Sequence, residues 1–245
     1  MNTNTNGMII WQGASPVDGA PIVAIVTGLD SKSANGKTGD MLQTWILLAN
    51  AHPSEALASG ADVSICGACP HRPRVVNGKR MRTCYVRMQA PPSVWKCYAR
   101  GGYASVSDPR AIAALGRGRA VRLGSYGDPA MVPTFVWAAL VSGARTHTGY
   151  THQSGLESFD ANLLALCMRS ADSEAEARTA YAEGIRSFYV RPFGAPLPKG
   201  FAQCPAAEEA GRRATCADCG LCAGSALRAR PISIQAHGNS KRSLA

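Results

Sequence analysis

Apolar runs alternate with short polar stretches along most of the chain, and their lengths and boundaries predict both strands and helices. Short runs rich in Val, Ile, Phe and Tyr are typical of strands, whereas longer runs that begin at a capping residue are typical of helices. The predicted strands are 21–28, 120–128, 145–152, 162–172, 187–192 and 231–238. The predicted helices are 39–51, 107–118, 132–144 and 173–184.

The second half of the chain alternates regularly between strand and helix. This alternation requires a parallel sheet, so the expected fold class is α/β. A TIM-like βα barrel, complete, incomplete or distorted, is the first choice, and an open doubly wound sheet is the alternative. In either fold, reactive groups gather at the carboxyl ends of the strands. A single domain over 1–245 is expected, with a basic cysteine-bearing insertion at 62–106 and a C-terminal metal-binding element at 200–238.

The composition of the 245-residue chain is that of a globular protein. Its hydrophobic fraction is 46%, and its apolar runs fall short of the roughly 20 residues that a membrane span needs. The N-terminal stretch MNTNTNGMIIWQG lacks the features of a signal peptide. A cytoplasmic protein without membrane partners is therefore expected. In the cytosol, its nine cysteines indicate metal ligands before disulfides.

The positive charge is concentrated in one segment. Residues 71–122 hold twelve Lys or Arg and one acid, a balance of +11, whereas the rest of the chain holds fourteen bases and fifteen acids. Aromatic residues are interleaved with these bases, a combination that suits DNA. The alternative is a solvated basic face. The predicted DNA-binding residues are Arg72, Arg74, Lys79, Arg80, Arg82, Arg87, Lys96 and Arg100.

The late cysteines have the spacing of a metal site. Cys204, Cys216, Cys219 and Cys222 form the pattern C-x11-C-x2-C-x2-C. Four thiolates suit Zn²⁺ or an iron–sulfur cluster, and the spacing does not separate the two. His237 competes for the fourth ligand position.

A second metal site is predicted upstream. Cys66 and Cys69 form a CxxC pair that His71 follows closely, and Cys84 and Cys97 come later in the same basic segment. The alternative is that Cys84 and Cys97 are half-buried beside aromatic residues.

A phosphate-binding loop is suggested by SKSANGKT at 31–38. The P-loop pattern needs Gly at the first position, where this chain has Ser31. Nucleotide hydrolysis is therefore disfavoured. Lys37, Thr38 and the backbone amides at the start of the predicted 39–51 helix are still expected to bind a phosphate of some ligand, and Asp40 is a further predicted substrate-binding residue.

RLGSYGDP at 122–129 is the predicted catalytic stretch. A strand there runs into small residues and presents Asp128, which can act as nucleophile or base. The alternative is that Asp128 only starts the next turn. His147 and His237 are further catalytic candidates. The predicted substrate-binding residues, besides those of the loop, are Ser125, Tyr126, Gly127, His152 and Arg191.

Three stretches carry a resemblance to a known family. The segment CxxCP…CYV…CYARGGY, the stretch RLGSYGDP and the segment CP…TCADCGLC resemble the phage gene product 88 family over most of residues 20–238. That family is in turn remotely similar to the tRNA-guanine and DNA 7-deazaguanine transglycosylases. This similarity implies a TIM barrel, a C-terminal zinc site and exchange of guanine in DNA for a 7-deazaguanine base, in the host cytoplasm if the chain is phage-encoded.

The chain departs from the transglycosylase pattern in its metal motif. Transglycosylases have C-x-C-x2-C and a distant histidine, whereas this chain has C-x2-C-x2-C after Cys204. The leading hypothesis is still a DNA-guanine transglycosylase whose nucleophile is Asp128. The alternatives are a non-catalytic zinc-stabilised DNA-binding protein and an iron–sulfur enzyme, although the radical-SAM signature C-x3-C-x2-C is absent from the sequence.

Overall fold

The computed structural model describes residues 4–30, 35–225, 229–237 and 241. The strands are β1 Gly7–Ala14, β2 Pro21–Thr27, β3 Leu42–Leu48, β4 Arg74–Val76, β5 Lys79–Met81, β6 Ala104–Ser105, β7 Ala120–Tyr126, β8 Thr146–Thr148, β9 Tyr150–Thr151, β10 Met168–Ala171, β11 Ser187–Arg191, β12 Ala202–Gln203 and β13 Ile232–Gln235. The α-helices are α1 Pro53–Ser59, α2 Val63–Cys66, α3 Ala90–Ala99, α4 Pro109–Gly116, α5 Thr134–Val141, α6 Glu174–Ala182 and α7 Cys216–Cys219. Short 3-10 helices are Pro129–Met131, Ala161–Ala165 and Glu208–Ala210.

The strands form two larger sheets and one hairpin. The first sheet has the order β6-β1-β2-β3-β7-β8, the second has the order β12-β13-β11-β10-β9, and β4 pairs with β5. Strands β1, β2 and β3 are antiparallel neighbours. From β3 through β7 to β8, and throughout the second sheet, the pairing is parallel. The predicted α/β class with a parallel-rich sheet is confirmed.

Gly149 joins the two sheets. It separates β8, the edge of the first sheet, from β9, the edge of the second. A Cβ atom built on Gly149 would lie 2.4 Å from the Cys167 sulfur and 3.2 Å from Cβ of Leu123. The backbone therefore crosses between the sheets where only glycine fits. The predicted strand 145–152 exists, but this crossing divides it.

The prediction of a helix over 39–51 is wrong, because this segment contains strand β3. Strand β3 lies between β2 and β7 in the middle of the first sheet, and its sequence LQTWILL is buried almost throughout. A central strand that is covered on both faces has a continuous apolar run. Periodicity cannot distinguish such a run from a buried helix.

The prediction for 162–172 is half right. A 3-10 helix occupies Ala161–Ala165, with the Asp160 side chain capping its first turn, and the strand β10 starts only at Met168. The helices predicted at 107–118, 132–144 and 173–184 are present as α4, α5 and α6. Asp108 and Ser173 accept backbone hydrogen bonds at the starts of α4 and α6, as expected for capping residues.

The basic cysteine-bearing insertion at 62–106, for which the sequence predicts irregular structure, contains regular elements. It contains the helix α2, the β4–β5 hairpin and the helix α3, whose Val94 and Cys97 are buried against the first sheet. No helix in the described part of the chain is both long and apolar enough to cross a membrane.

Candidate metal centre and active-site cavity

One cavity of about 160 Å³ lies at the carboxyl ends of the parallel strands. The residues that follow four of these strands all line it: Asp128 after β7, His152 after β9, Asp172 after β10 and His237 after β13. Seven of the nine cysteines line it as well. The cavity therefore combines the strand-end groups with thiols from two distant parts of the sequence.

The first thiol group is formed by the late cysteines, Cys204, Cys216, Cys219 and Cys222. Cys204 directly follows β12, Cys216 and Cys219 are the ends of the single-turn helix α7, and Cys222 follows soon after. Burial raises the pKa of Cys222 to about 12, with a smaller rise from the charges of the other three thiols. Burial also raises the pKa of Cys204 and of Cys216. All four predicted cysteines thus line the same cavity, and burial disfavours the thiolate forms of Cys204, Cys216 and Cys222.

The quartet is ringed by three cations. The Lys37 amine lies 3.1 Å from Nε2 of His237, and burial lowers its pKa while the charges of Cys204 and Cys216 oppose this shift. Arg122 donates to the Tyr85 hydroxyl at 2.9 Å. The third cation is Arg186, which donates to carbonyl groups.

Arg186 is 2% exposed and donates to the carbonyl oxygens of Arg230 and Leu221. The ion pairs found among the described residues include neither Arg186 nor Lys37 nor Arg122. Buried cations normally have an anionic partner. The acidic groups that act on Lys37 are Glu209 and, when deprotonated, the thiols of Cys204 and Cys216.

The second thiol group consists of Cys66, Cys69 and Cys84. Burial raises the pKa of Cys66 well above its usual value, and the charges of Cys69 and Cys84 raise it further. The buried side chain of Gln153 holds the loop between the first two, because it accepts from Ala68 N–H at 3.0 Å and donates to the Cys66 carbonyl at 2.9 Å.

Cys97 does not belong to this second group, so the predicted set is corrected to three thiols. Cys97 lies on α3, where its sulfur accepts a hydrogen bond from the Asn4 amide at 3.5 Å and contacts Tyr103. The side chain of Cys97 is buried in the hydrophobic core beside the first sheet.

Asp128 lies in the cavity wall and is 7% exposed. One carboxylate oxygen accepts from Ala130 N–H at 3.0 Å, and the other accepts from His152 N–H at 2.8 Å. Burial raises its pKa, and these hydrogen bonds oppose that rise. The carboxylate therefore caps the following turn and ties the end of β7 to the end of β9, which is the structural alternative raised by the sequence.

His147 and Arg191, also predicted as site residues, are placed away from the cavity-lining groups. His147 lies in β8, and burial lowers its pKa. Arg191 lies at the end of β11 and donates to Gln203 and Glu209, 2.9 and 3.4 Å away. These contacts make Arg191 a link between neighbouring strands and loops.

The predicted phosphate loop is divided between structural roles and the cavity. Residues 31–34 lie outside the described residues. Lys37 lines the cavity, whereas Thr38 is buried and Asp40 forms an exposed ion pair with Arg145 at 3.6 Å. A helix start that could bind phosphate is absent here, because β3 follows this loop.

In the stretch GSYGD, Tyr126 and Gly127 line the cavity, while the Ser125 hydroxyl donates to Gln43 on β3 at 2.7 Å. The Tyr126 hydroxyl is buried without a hydrogen-bond partner among the described residues, and burial raises its pKa. A buried hydroxyl at a cavity wall is available for a ligand.

Two of the predicted DNA-binding arginines line the cavity. Arg82 lines the cavity, and Arg72 lines it while pairing with the buried Asp62 at 2.8 Å. Arg80 donates to the carbonyl of Leu57, another lining residue. The remaining predicted DNA-binding residues are exposed: Arg74, Lys79, Arg87, Lys96 and Arg100.

His71, His152 and Asp172 converge at one side of the cavity. Burial alone would lower the pKa of His152, but hydrogen bonds with Asp172 and Cys69 raise it to about 10. Burial alone would raise the pKa of Asp172, but the two histidines hold it well below its usual range. The contact between His71 and Asp172 could not be predicted from the sequence, because the two residues are 101 positions apart along the chain and belong to different elements.

Arg122, Tyr85 and Tyr150 also line the cavity, although the predicted site residues do not include them. Tyr85 packs against His237 with ring centroids 5.1 Å apart, and Tyr150 hydrogen-bonds Cys222. Arg122 and Tyr150 lie in strands next to predicted site residues, so inward alternation along β7 and β9 was the signal available.

Comparison of the chain with protein-family models, curated proteins and solved structures finds no match.

Proposed function

We propose that this protein is a metalloenzyme of the iron–sulfur class, in which two thiolate-bound centres face one cavity. The observation that carries this proposal is the grouping of seven thiols, four and three, around a single cavity at the carboxyl ends of the strands. The cofactor is proposed from the donor set of the chain itself. Zinc, predicted from the sequence, is the alternative occupant.

The spacing of the thiols favours clusters over single ions. In a tetrahedral zinc site the sulfurs are about 3.8 Å apart, since each zinc–sulfur bond is about 2.3 Å long. Among the described His, Cys, Asp and Glu side chains, the group with three ligand atoms within 4.8 Å of one another is His71, His152 and Asp172. No three thiols of either group converge that closely, and a cluster that holds each thiolate on its own iron needs the wider spacing.

The charges around the late quartet fit a net anionic centre. Four thiolates outweigh the charge of one divalent ion or of one iron–sulfur cluster. Lys37, Arg122 and Arg186 surround the quartet and take part in none of the ion pairs found in the described part of the chain. A bound metal–thiolate centre would give these buried cations their counter-charge.

When bound, an iron–sulfur cluster supplies one-electron transfer, and a cluster held by three thiolates keeps one iron open to a ligand. The side chains of the chain position that ligand. The Tyr126 hydroxyl and the Nε atoms of Arg82 and Arg122 are buried without hydrogen-bond partners among the described residues. They offer donors to an anionic or carbonyl-bearing substrate.

The test is anaerobic purification followed by iron and sulfide analysis and an absorption spectrum. Wild type is expected to be coloured, with absorption near about 400 nm from thiolate-bound iron. Cys222→Ser is expected to lose the iron of the late quartet, and Cys66→Ser the iron of the second group. Cys97→Ser is the matched control and keeps both. A colourless protein that contains zinc would contradict the proposal.

A DNA-guanine transglycosylase on an incomplete TIM-like barrel, acting in DNA with a 7-deazaguanine base as second substrate, is the second candidate. The observation in its favour is that Tyr126, Gly127 and Asp128 line a cavity shared with Arg72 and Arg82, as a pocket for an extruded base requires. In this reaction Asp128 would have to give up its two backbone hydrogen bonds. Incorporation of labelled deazaguanine into DNA by wild type, lost in Asp128→Asn, would support this candidate over the first.

A further inference from the structure

Three side chains from three separate elements bring metal-ligand atoms together beside the second thiol group. Oδ1 of Asp172 lies 2.9 Å from Nε2 of His71 and 3.3 Å from Nε2 of His152. The ligand atoms of all three residues lie within 4.8 Å of one another. The Nε2 atoms of both imidazoles therefore lie close to the same carboxylate oxygen.

The fold itself builds this arrangement. Strands β9 and β10 are parallel neighbours, with Tyr150 opposite Met168 and Thr151 opposite Arg169. His152 is the first residue after β9 and Asp172 is the first residue after β10, so both lie at the carboxyl edge of these neighbouring strands. His71 arrives from the basic segment, just before β4, and its ring meets that of His152 at a centroid distance of 5.4 Å.

The surroundings of the trio orient its ligand atoms. Nδ1 of His71 lies 2.9 Å from the Thr83 hydroxyl, an arrangement that leaves the lone pair of Nε2 as the ligand for a cation beside Asp172 once Nδ1 carries the proton. The Glu176 carboxylate accepts from the backbone N–H of Asp172 at 2.9 Å. The side chains of His71, His152 and Asp172 keep 16%, 21% and 30% exposure and line the cavity, so water or a substrate can reach them.

We propose that His71, His152 and Asp172 hold one divalent transition-metal ion, such as Fe²⁺ or Mn²⁺, with open coordination positions toward the cavity. Two imidazoles and one carboxylate on one side of an ion form the facial set that leaves positions free for exogenous ligands. The nitrogen and oxygen donors differ from the thiols nearby, which select softer metals. None of the three ligands is a thiol, so this site does not depend on the proposed iron–sulfur centres and is additional to the proposed function.

The test is a titration of the anaerobically purified full chain with Mn²⁺, with free ion followed by electron paramagnetic resonance. Wild type is expected to bind one Mn²⁺ per chain. His71→Gln and Asp172→Asn are each expected to weaken binding at least about tenfold, because each removes a ligand of the ion. His147→Gln and Asp40→Asn are matched controls outside the trio and are expected to bind like wild type.

Unchanged Mn²⁺ affinity in both trio variants, or no saturable binding by wild type, would overturn the assignment and leave the trio as an ion pair. His71 and Asp172 are partly exposed, so both variants are expected to fold. Circular dichroism checks this. Cys222→Ser is expected to retain the Mn²⁺ site. A chain that binds Mn²⁺ but no iron–sulfur cluster would therefore refute the proposed function and support this inference.

Discussion

Asp128 shows how burial and hydrogen bonding can decide the role of a single carboxylate. The sequence predicts that Asp128 follows the end of a strand, a position that suits a catalytic nucleophile and a turn-capping residue equally well. In the structure both oxygens accept backbone N–H groups, from Ala130 and from His152. These bonds join the ends of two strands, and that geometry favours the capping role.

Asp128→Ala is expected to lower the free energy of unfolding by about 2–4 kcal/mol, because two buried N–H groups lose a charged acceptor. Asp108→Ala is the control, since Asp108 caps α4 with a single exposed hydrogen bond. Loss of that cap costs about 1 kcal/mol. Urea unfolding of both variants makes the comparison. Equal destabilisation would mean that the link to His152 contributes nothing.

The absence of a side chain at Gly127 allows the backbone of the cavity wall to pack closely against Ile46 of β3. Its φ is +80°, and an added Cβ would lie 2.7 Å from Cβ of Ile46. Gly60 has a similar φ of +86° with open space around it. Gly127→Ala is therefore expected to destabilise more than Gly60→Ala by about 1–3 kcal/mol, the cost of overpacking. Thermal unfolding measures the difference, and equal melting temperatures would show that backbone conformation alone matters.

At the level of elements, the edge of the second sheet is held by a polar network around the partly exposed side chain of Glu209. Oε1 of Glu209 accepts from Gln235 N–H at 2.7 Å and from the Gln203 side chain at 3.0 Å, and it lies 3.4 Å from Arg191. Burial alone would raise the pKa of Glu209, but these contacts lower it. The carboxylate thus ties β11, β12 and β13 together.

Because the folded pKa of Glu209 is below the unfolded value, its contribution to stability is present above about pH 4.3 and is lost as the pH falls through the folded pKa. Glu209→Gln is expected to be less stable than wild type at pH 7 and to lose less stability on acidification. Glu208→Gln, at an 83% exposed side chain, is the control. Parallel pH profiles for wild type and Glu209→Gln would contradict this assignment.

The elements that the sequence predicted correctly are those whose ends carry local signals. Asp108 and Ser173 mark the starts of α4 and α6 by capping. Strand β3 was missed because its burial depends on neighbours far along the chain. The grouping of the late cysteines could be predicted from their spacing. The trio of His71, His152 and Asp172 could not, because it depends on which strands pair, and strand pairing cannot be derived from a single sequence.

At the level of the whole molecule, the basic segment and the cavity share a border. Arg72 and Arg82 line the cavity, while Arg74 and Lys79 lie on the exposed hairpin next to them. A polyanion bound to the hairpin would therefore lie beside the opening. DNA as the partner remains a proposal, drawn from the charge of +11 over 71–122.

If DNA binds there, Arg74→Gln and Lys79→Gln should each weaken binding and lower the slope of log affinity against log salt by about 0.9, the value for one phosphate contact. Arg178→Gln is the control, because Arg178 lies on α6 outside the basic segment and pairs with Glu174. Fluorescence anisotropy at several salt concentrations measures the slopes. Identical slopes in all variants would place the DNA contact elsewhere.

The short backbone stretch from Gly149 to Gln153 holds both thiol groups. Gly149 N–H lies 3.4 Å from the carbonyl of Cys222 in the late quartet, and Gln153 clasps the loop that carries Cys66. Hydrogen bonds from one stretch of five residues thus reach both thiol groups. A change in the conformation of that stretch would alter the positions of both groups together.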